Sequence, residues 1–131
     1  MGSVLLDTTV LIDALRGRPG VLERLARMQR AGDLPFTCAV NVEEVFRGLR
    51  ATEEEAAEAL FRGIRIAPLG NAEGRRAGAW RRDFAARGVT LAQADCLVAS
   101  AAVGVTARLA TANVRHFPMP ELTVEDWPTG E

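Results

Sequence analysis

MGSVLLDTTVLIDALRG, residues 1–17, sets the aliphatic run Val4-Leu5-Leu6 directly before the carboxylate of Asp7. Two threonines and a helix-period pattern closed by Gly17 follow at once. Ser3–Leu6 reads as a short apolar strand and Thr8–Arg16 as a helix. The same alternation runs through the chain. Helices are expected over Val21–Arg30, Val42–Leu49, Asn71–Arg87 and Thr90–Val103, with another after TEEEAAEALFRG begins at Thr52. Short strands fit Leu34–Cys38, Ile64–Ala67, Ala107–Ala110 and Glu121–Val124. Gly17, Gly32, Gly63 and Gly88 stand where helices should stop, and Thr52/Glu55 and Thr90/Gln93 have the spacing of capping boxes. Strands alternating with helices mean an α/β fold, a central parallel sheet of about four to five strands with helices on both faces.

The bulk properties fit one such domain. A chain of 131 residues builds a single core, here read as residues 1–131 with a short tail from about 126. Hydrophobic residues make up 48% and charged residues 25%, a globular balance rather than a disordered one. No apolar run reaches the ~18–20 residues of a membrane span, so no membrane is expected as a partner. Cys38 and Cys96 are far apart in apolar company and fit neither a zinc site nor a disulfide scaffold, so a reducing cytoplasm is expected. The net charge of −1 supplies no global pull toward nucleic acid. All 16 basic residues are arginine. With no lysine, a receiver domain or a haloacid-dehalogenase-like phosphatase, each of which needs one, is excluded.

In open α/β sheets, ligands bind beyond the carboxyl ends of the strands, where Asp7 stands. Asp7 either caps the following helix or serves a site. In CAVNVEEVFRGLR, Glu43 shares a face with Arg47 one turn on and reads as its solvated partner. Glu44 points elsewhere: either it is a second surface glutamate beside an incidental glycine, or Gly48, one turn later, leaves its carboxylate open to a site. In TLAQADCLVASAAVG, Asp95 lies on the side of Leu91, Val98 and Ala102. An acid on an apolar face is costly unless it is paired with an arginine or bound to a cation. In ARLATANVRHFP, Thr111 and Asn113 follow a small strand, either as turn residues or as a hydroxyl and an amide aimed at a site. His116 has no second His or Cys near it and reads as an ordinary loop residue. Arg75, Arg76 and Arg82 crowd one helix, either as a solvated face or as a grip on phosphates.

Taken in order, D-T-T-V-L-I-D, E-V-F-R-G, A-D-C-L-V-A-S-A-A and T-A-N-V-R-H-F resemble the PIN-domain ribonucleases, and within them the VapC-type toxins of toxin–antitoxin pairs. The resemblance covers essentially the whole chain. It implies that Asp7, Glu44 and Asp95 are the acids of a metal site and that Asn113 stands where many members carry a fourth acid. Thr111 is implied as a supporting hydroxyl, and Thr9 is placed with it. Asp13 receives no ligand role. The residue types suit a hard cation, Mg²⁺ or Mn²⁺, which would hold a phosphodiester oxygen and activate water for in-line attack. The expected products carry 5′-phosphate and 3′-hydroxyl ends. The implied partners are RNA, a small cognate antitoxin and a second copy of the chain, as a homodimer within a heterotetramer or larger complex. The alternatives are a non-catalytic RNA-binding module of the same fold and an RNA-processing nuclease that is not a toxin.

Overall fold

A computed structural model describes residues 2–128. The element order is β1 (Ser3–Leu6), α1 (Thr8–Leu15), α2 (Pro19–Arg30), β2 (Leu34–Thr37), α3 (Ala39–Arg47), α4 (Glu54–Arg62) and β3 (Arg65–Ile66). Then come α5 (Asn71–Ala86), α6 (Gln93–Gly104), β4 (Arg108–Thr111), a 3-10 turn over Val114–His116, and β5 (Val124–Asp126). The five strands form one sheet in the order β3-β2-β1-β4-β5, every neighbouring pair parallel. The expected α/β fold is the one found.

Alternation along β1 explains why its residues are apolar at successive positions. Val4 and Leu6 enter one core with Val10, Leu11, Val21, Met28, Val45 and Ala110. Leu5 enters the other with Trp80, Phe84, Val98, Ala99, Ala102 and Leu109. Successive strand residues face opposite sides, so a strand covered twice needs an apolar residue at each. Helices α1 to α4 supply the first core and α5 and α6 the second.

The chain winds outward from β1 through β2 to β3, then returns to place β4 on the other flank of β1. The winding therefore reverses between β1 and β4. A crevice opens at such a reversal, beyond the carboxyl ends of the two strands. Register fixes what lines it: Leu6 pairs with Ala110, so Asp7 and Thr111 emerge side by side.

Several boundaries differ from the sequence reading. Neither expected capping box forms. The Glu53 carboxylate accepts the Arg50 amide at 2.8 Å and α4 begins only at Glu54. Leu91 is buried and its carbonyl accepts Arg81 Nε at 3.2 Å, which holds the segment before α6 extended until Ala92 caps the helix. A box forms instead at Cys38/Asn41, where the Asn41 carboxamide oxygen accepts the Cys38 amide at 3.2 Å. The last strand starts three residues later than the expected Glu121–Val124 and ends two later, because Thr123 and Trp127 mark its bonded ends on β4. The tail expected from about 126 is corrected: Asp126 closes β5 and Trp127 is 4% exposed in the core. Residues 129–131 lie outside the described residues.

Gly17, Gly32 and Gly88 follow α1, α2 and α5 with φ of 69°, 79° and 81°. That left-handed conformation ends helices and favours glycine. After α6 the same position is held by Thr106, at φ 55°. A β-branched residue there is strained by roughly 1–2 kcal/mol, partly offset by the freedom glycine has in the unfolded chain. Thr106→Gly and Thr106→Asn should each raise unfolding stability by about 0.5–1 kcal/mol, measured by urea denaturation, while Gly88→Thr should lower it.

Candidate active site

Asp7 heads α1 in extended conformation, yet its side chain does not cap the helix. The carboxylate faces sideways into the crevice, 8% exposed. Thr111 Oγ1 donates to its Oδ2 at 2.7 Å, and Asn41 Nδ2 donates to its Oδ1 at 3.2 Å. The same Nδ2 reaches Thr8 Oγ1 at 3.1 Å, and Thr8 Oγ1 in turn donates to Glu44 Oε1 at 2.6 Å. The Thr111 hydroxyl also accepts the Asn113 amide at 3.0 Å, and Thr9 Oγ1 accepts the Ala112 amide at 3.3 Å. The threonines at both strand ends thus hold the acid and the loop beside it in one network.

Asp7, Thr8, Thr9 and Glu44 line an open cleft of about 730 Å³ together with Asp95, Asn113, His116, Arg47 and Gly48. Asp7, Glu44, Asp95, Asn113 and Thr9 are therefore brought to one place, and Thr111 stands behind Asp7. Gly48 is the C-cap of α3 rather than an interior residue, so it costs the helix little while leaving the cleft open beside Glu44. Glu43 points away and pairs with Arg47 at 3.3 Å, both well exposed. Asp13 is buried within α1 and stays outside the cleft lining.

Three residues in or behind the cleft were not foreseen. Asn41 is fully buried and joins Asp7 to Thr8 and so to Glu44. Its position four residues before Val45, on the buried side of α3, was the available signal. Thr8 lay hidden in the helix start. His116, read as an ordinary loop residue, places Nδ1 3.5 Å from Asp95 Oδ2. No sequence signal joined them, since 21 residues separate the two. Arg75, Arg76 and Arg82 do not line the cleft. Arg76 is drawn inward, donating to the Ser100 carbonyl at 2.9 Å and its hydroxyl at 3.1 Å. Arg75 and Arg82 stay exposed, on Asn71 and Asp83.

Electrostatics tie the acids together. Burial pushes the Asp7 carboxyl above the usual range and the Glu44 charge adds to this, against hydrogen bonds from Thr111, the Thr8 backbone and Asn41. Burial also raises Asp95; His116 opposes the rise, while the charges of Asp7 and Glu44 reinforce it. A carboxyl whose proton affinity is raised by neighbouring carboxylates is the mark of converging acids. Oxygen donors of this kind, with no thiol and a single imidazole at the rim, fit a hard divalent cation. Among the described residues no three His, Cys, Asp or Glu side chains already form a cage. A cation there would keep part of its water shell, as Mg²⁺ commonly does.

The raised Asp95 carboxyl has a consequence for stability. A folded-state value above the unfolded one stabilises the fold below the ordinary carboxylate pKa, and that contribution is lost as pH rises through the folded value. At neutral pH the metal-free charge is thus a net cost. Metal-free Asp95→Asn should melt above the parent at pH 7, with the gap closing below about pH 4. Added Mg²⁺ should raise the parent's melting temperature more than the variant's, both followed by scanning calorimetry.

Comparisons with known proteins identify the family and the fold. The PIN domain family matches residues 4–119. Ribonuclease VapC19 of Mycobacterium tuberculosis is 34% identical over 119 residues, 90% of this chain and 95% of the relative. Ribonuclease VapC10 of the same organism is 32% identical over 118 residues, 90% and 88% of the two chains. Among solved structures, VapBC2 from Rickettsia felis bound to a promoter DNA fragment superposes with a TM-score of 0.84 at 19% identity, covering 95% of this chain and 98% of that one. VapBC-1 from nontypeable Haemophilus influenzae gives 0.80 at 23%, with the same coverage; at such identities the likeness is one of fold. With a family match spanning most of its length, and curated relatives above 30% identity covered almost end to end, the chain belongs to the PIN-domain family.

Proposed function

We propose that this protein is a metal-dependent endoribonuclease acting as the toxin of a toxin–antitoxin pair. One observation carries the reading: Asp7, Glu44 and Asp95, from three separate elements, line a single open cleft at the point where the sheet reverses its winding. Its relatives named as ribonucleases support the substrate class.

Asp7, Glu44 and Asp95 would hold Mg²⁺ or Mn²⁺, with Asn113 as a neutral fourth donor. The bound cation supplies charge neutralisation, polarisation of the phosphodiester and activation of water. The chain's own residues do the positioning. Thr111 and Asn41 fix the two oxygens of Asp7, so that neither is free to rotate away from the cleft. Thr8 does the same for Glu44. The amide of Asn113 is pinned on Thr111, which keeps its side chain at the cleft rim.

Arg75 and Arg82, exposed on α5, are the remaining candidates from that helix for contact with RNA, Arg76 being engaged by Ser100. The solved neighbours are toxin–antitoxin complexes, which supports a small antitoxin as partner. A homodimer and cytoplasmic location complete the proposal. No helix among the described residues is long and apolar enough to cross a membrane.

Asp7→Asn, Glu44→Gln and Asp95→Asn should each lower cleavage of single-stranded RNA by roughly 10²-fold or more, and chelation of Mg²⁺ should do the same to the parent. Glu43→Gln, whose carboxylate faces away, should stay within about twofold, an ordinary surface effect. A fully active Asp95→Asn enzyme would sink the site assignment. Asn113→Asp adds a fourth anionic donor and should tighten Mn²⁺ binding in calorimetry; an unchanged affinity would show that residue 113 does not face the ion.

A further inference from the structure

The 3-10 turn Val114–His116 stands between two cavities. Asn113 and His116 line the acidic cleft, and the same two residues, with Ala112, Val114, Arg115 and Asp126, line a second cavity of about 530 Å³. We propose that this second cavity is a nucleotide subsite for single-stranded RNA, in which the His116 ring stacks on a base beside the scissile phosphate and Arg115 holds the phosphate next to it. The proposal rests on the nuclease reading and deepens it.

The argument begins with what can stack. The chain has no tyrosine. Among the described residues Phe84, Phe117, Trp80 and Trp127 are buried, Phe36 and Phe61 are half-buried against the core, and half-buried Phe46 stacks on Phe61. His116 is the one ring left standing in solvent, its side chain 57% exposed. Its Nδ1 edge is turned to Asp95 at 3.5 Å, and that contact steadies the ring beside the cleft. Unpaired bases are held on such flat faces, whereas duplex RNA buries its bases in the stack.

Charge supplies the second part. Arg115 is exposed and engages no protein group among the described residues, unlike Arg47, which pairs with Glu43, or Arg76, which is spent on Ser100. An uncommitted guanidinium beside a cleft of acids is placed to attract a backbone phosphate that the acids themselves repel. Val114, 39% exposed, adds an apolar floor unusual for a polar turn. Asp126 can only accept hydrogen bonds, and so suits a base's amino group rather than a phosphate. A volume of this order holds one nucleotide.

The test uses the full chain carrying Glu44→Gln to prevent cleavage, with Mg²⁺ and a short fluorescent single-stranded RNA of mixed sequence. Adding His116→Ala should weaken binding at least about fivefold, and His116→Phe should restore it to within about twofold of the Glu44→Gln parent, because a ring without nitrogens still stacks. The salt slope should be unchanged by His116→Ala and reduced by roughly 0.7 by Arg115→Ala, the share of one phosphate contact on a single strand. In the otherwise native enzyme, His116→Phe should preserve KM better than His116→Ala does. Equal weakness of the Phe and Ala variants would mean that the imidazole acts only through Asp95, and undiminished binding by His116→Ala would mean that no base rests there. Either result overturns the subsite alone. A Glu44→Gln parent that binds no RNA overturns the nuclease reading and the subsite together.

Discussion

The Asp7 carboxylate stands at the end of a strand that is itself buried on both faces, and a charge so placed is expensive unless donors surround it. Thr111 reaches it from the neighbouring strand and Asn41 from α3. Those two bonds demand that β1 and β4 be adjacent in the observed register and that α3 pack close to the start of α1. Much of the architecture follows from meeting that demand. The parallel pairing of Leu6 with Ala110 brings Thr111 alongside, and the Cys38/Asn41 box starts α3 where its carboxamide can serve.

Satisfying one acid does not neutralise three. Each carboxylate of the cleft has neutral or weakly basic partners of its own: hydroxyls and an amide for Asp7, Thr8 for Glu44, His116 for Asp95. Hydrogen bonds of this kind orient the oxygens and leave their charge in place. The one guanidinium in the cleft lining, Arg47, is shared with Glu43 outside it. The fold therefore stores mutual repulsion that a divalent cation can relieve, and the free energy so released is available for binding the ion.

The surroundings of the cleft divide the work of handling a polyanion. Acids repel phosphate, so attraction has to come from the rim. The loop after β4 carries the two groups best suited to it, an open ring and an uncommitted arginine, on the side where β5 ends. The arginines of α5 are distributed otherwise. One of them locks α5 onto α6 through Ser100, whose hydroxyl also donates to the Glu73 carbonyl at 2.7 Å. The same residue type thus serves packing in one turn of the helix and solvent in the next.

The sequence by itself determined the α/β class and the strand and helix alternation, because each rests on a local pattern; Asp7, Glu44 and Asp95 became candidates only through four motifs taken together. An apolar run ending on Asp7, a glutamate beside a glycine turn and an aspartate on an apolar helix face are visible within a few residues. The glycine stops at 17, 32 and 88 were legible for the same reason: a left-handed residue is demanded locally. Helix starts were less legible, since Leu91 and Glu53 answered to distant partners, Arg81 and Arg16, as well as to their neighbours. The reading of Arg76 as one of three equivalent surface cations missed Ser100, 24 positions away. Only the tertiary structure could decide that Asn41 links two acids and that His116 leans on Asp95. Those contacts cross 34 and 21 positions of sequence respectively, and they exist because parallel strands deliver their carboxyl ends, and whatever follows them, to one edge of the sheet.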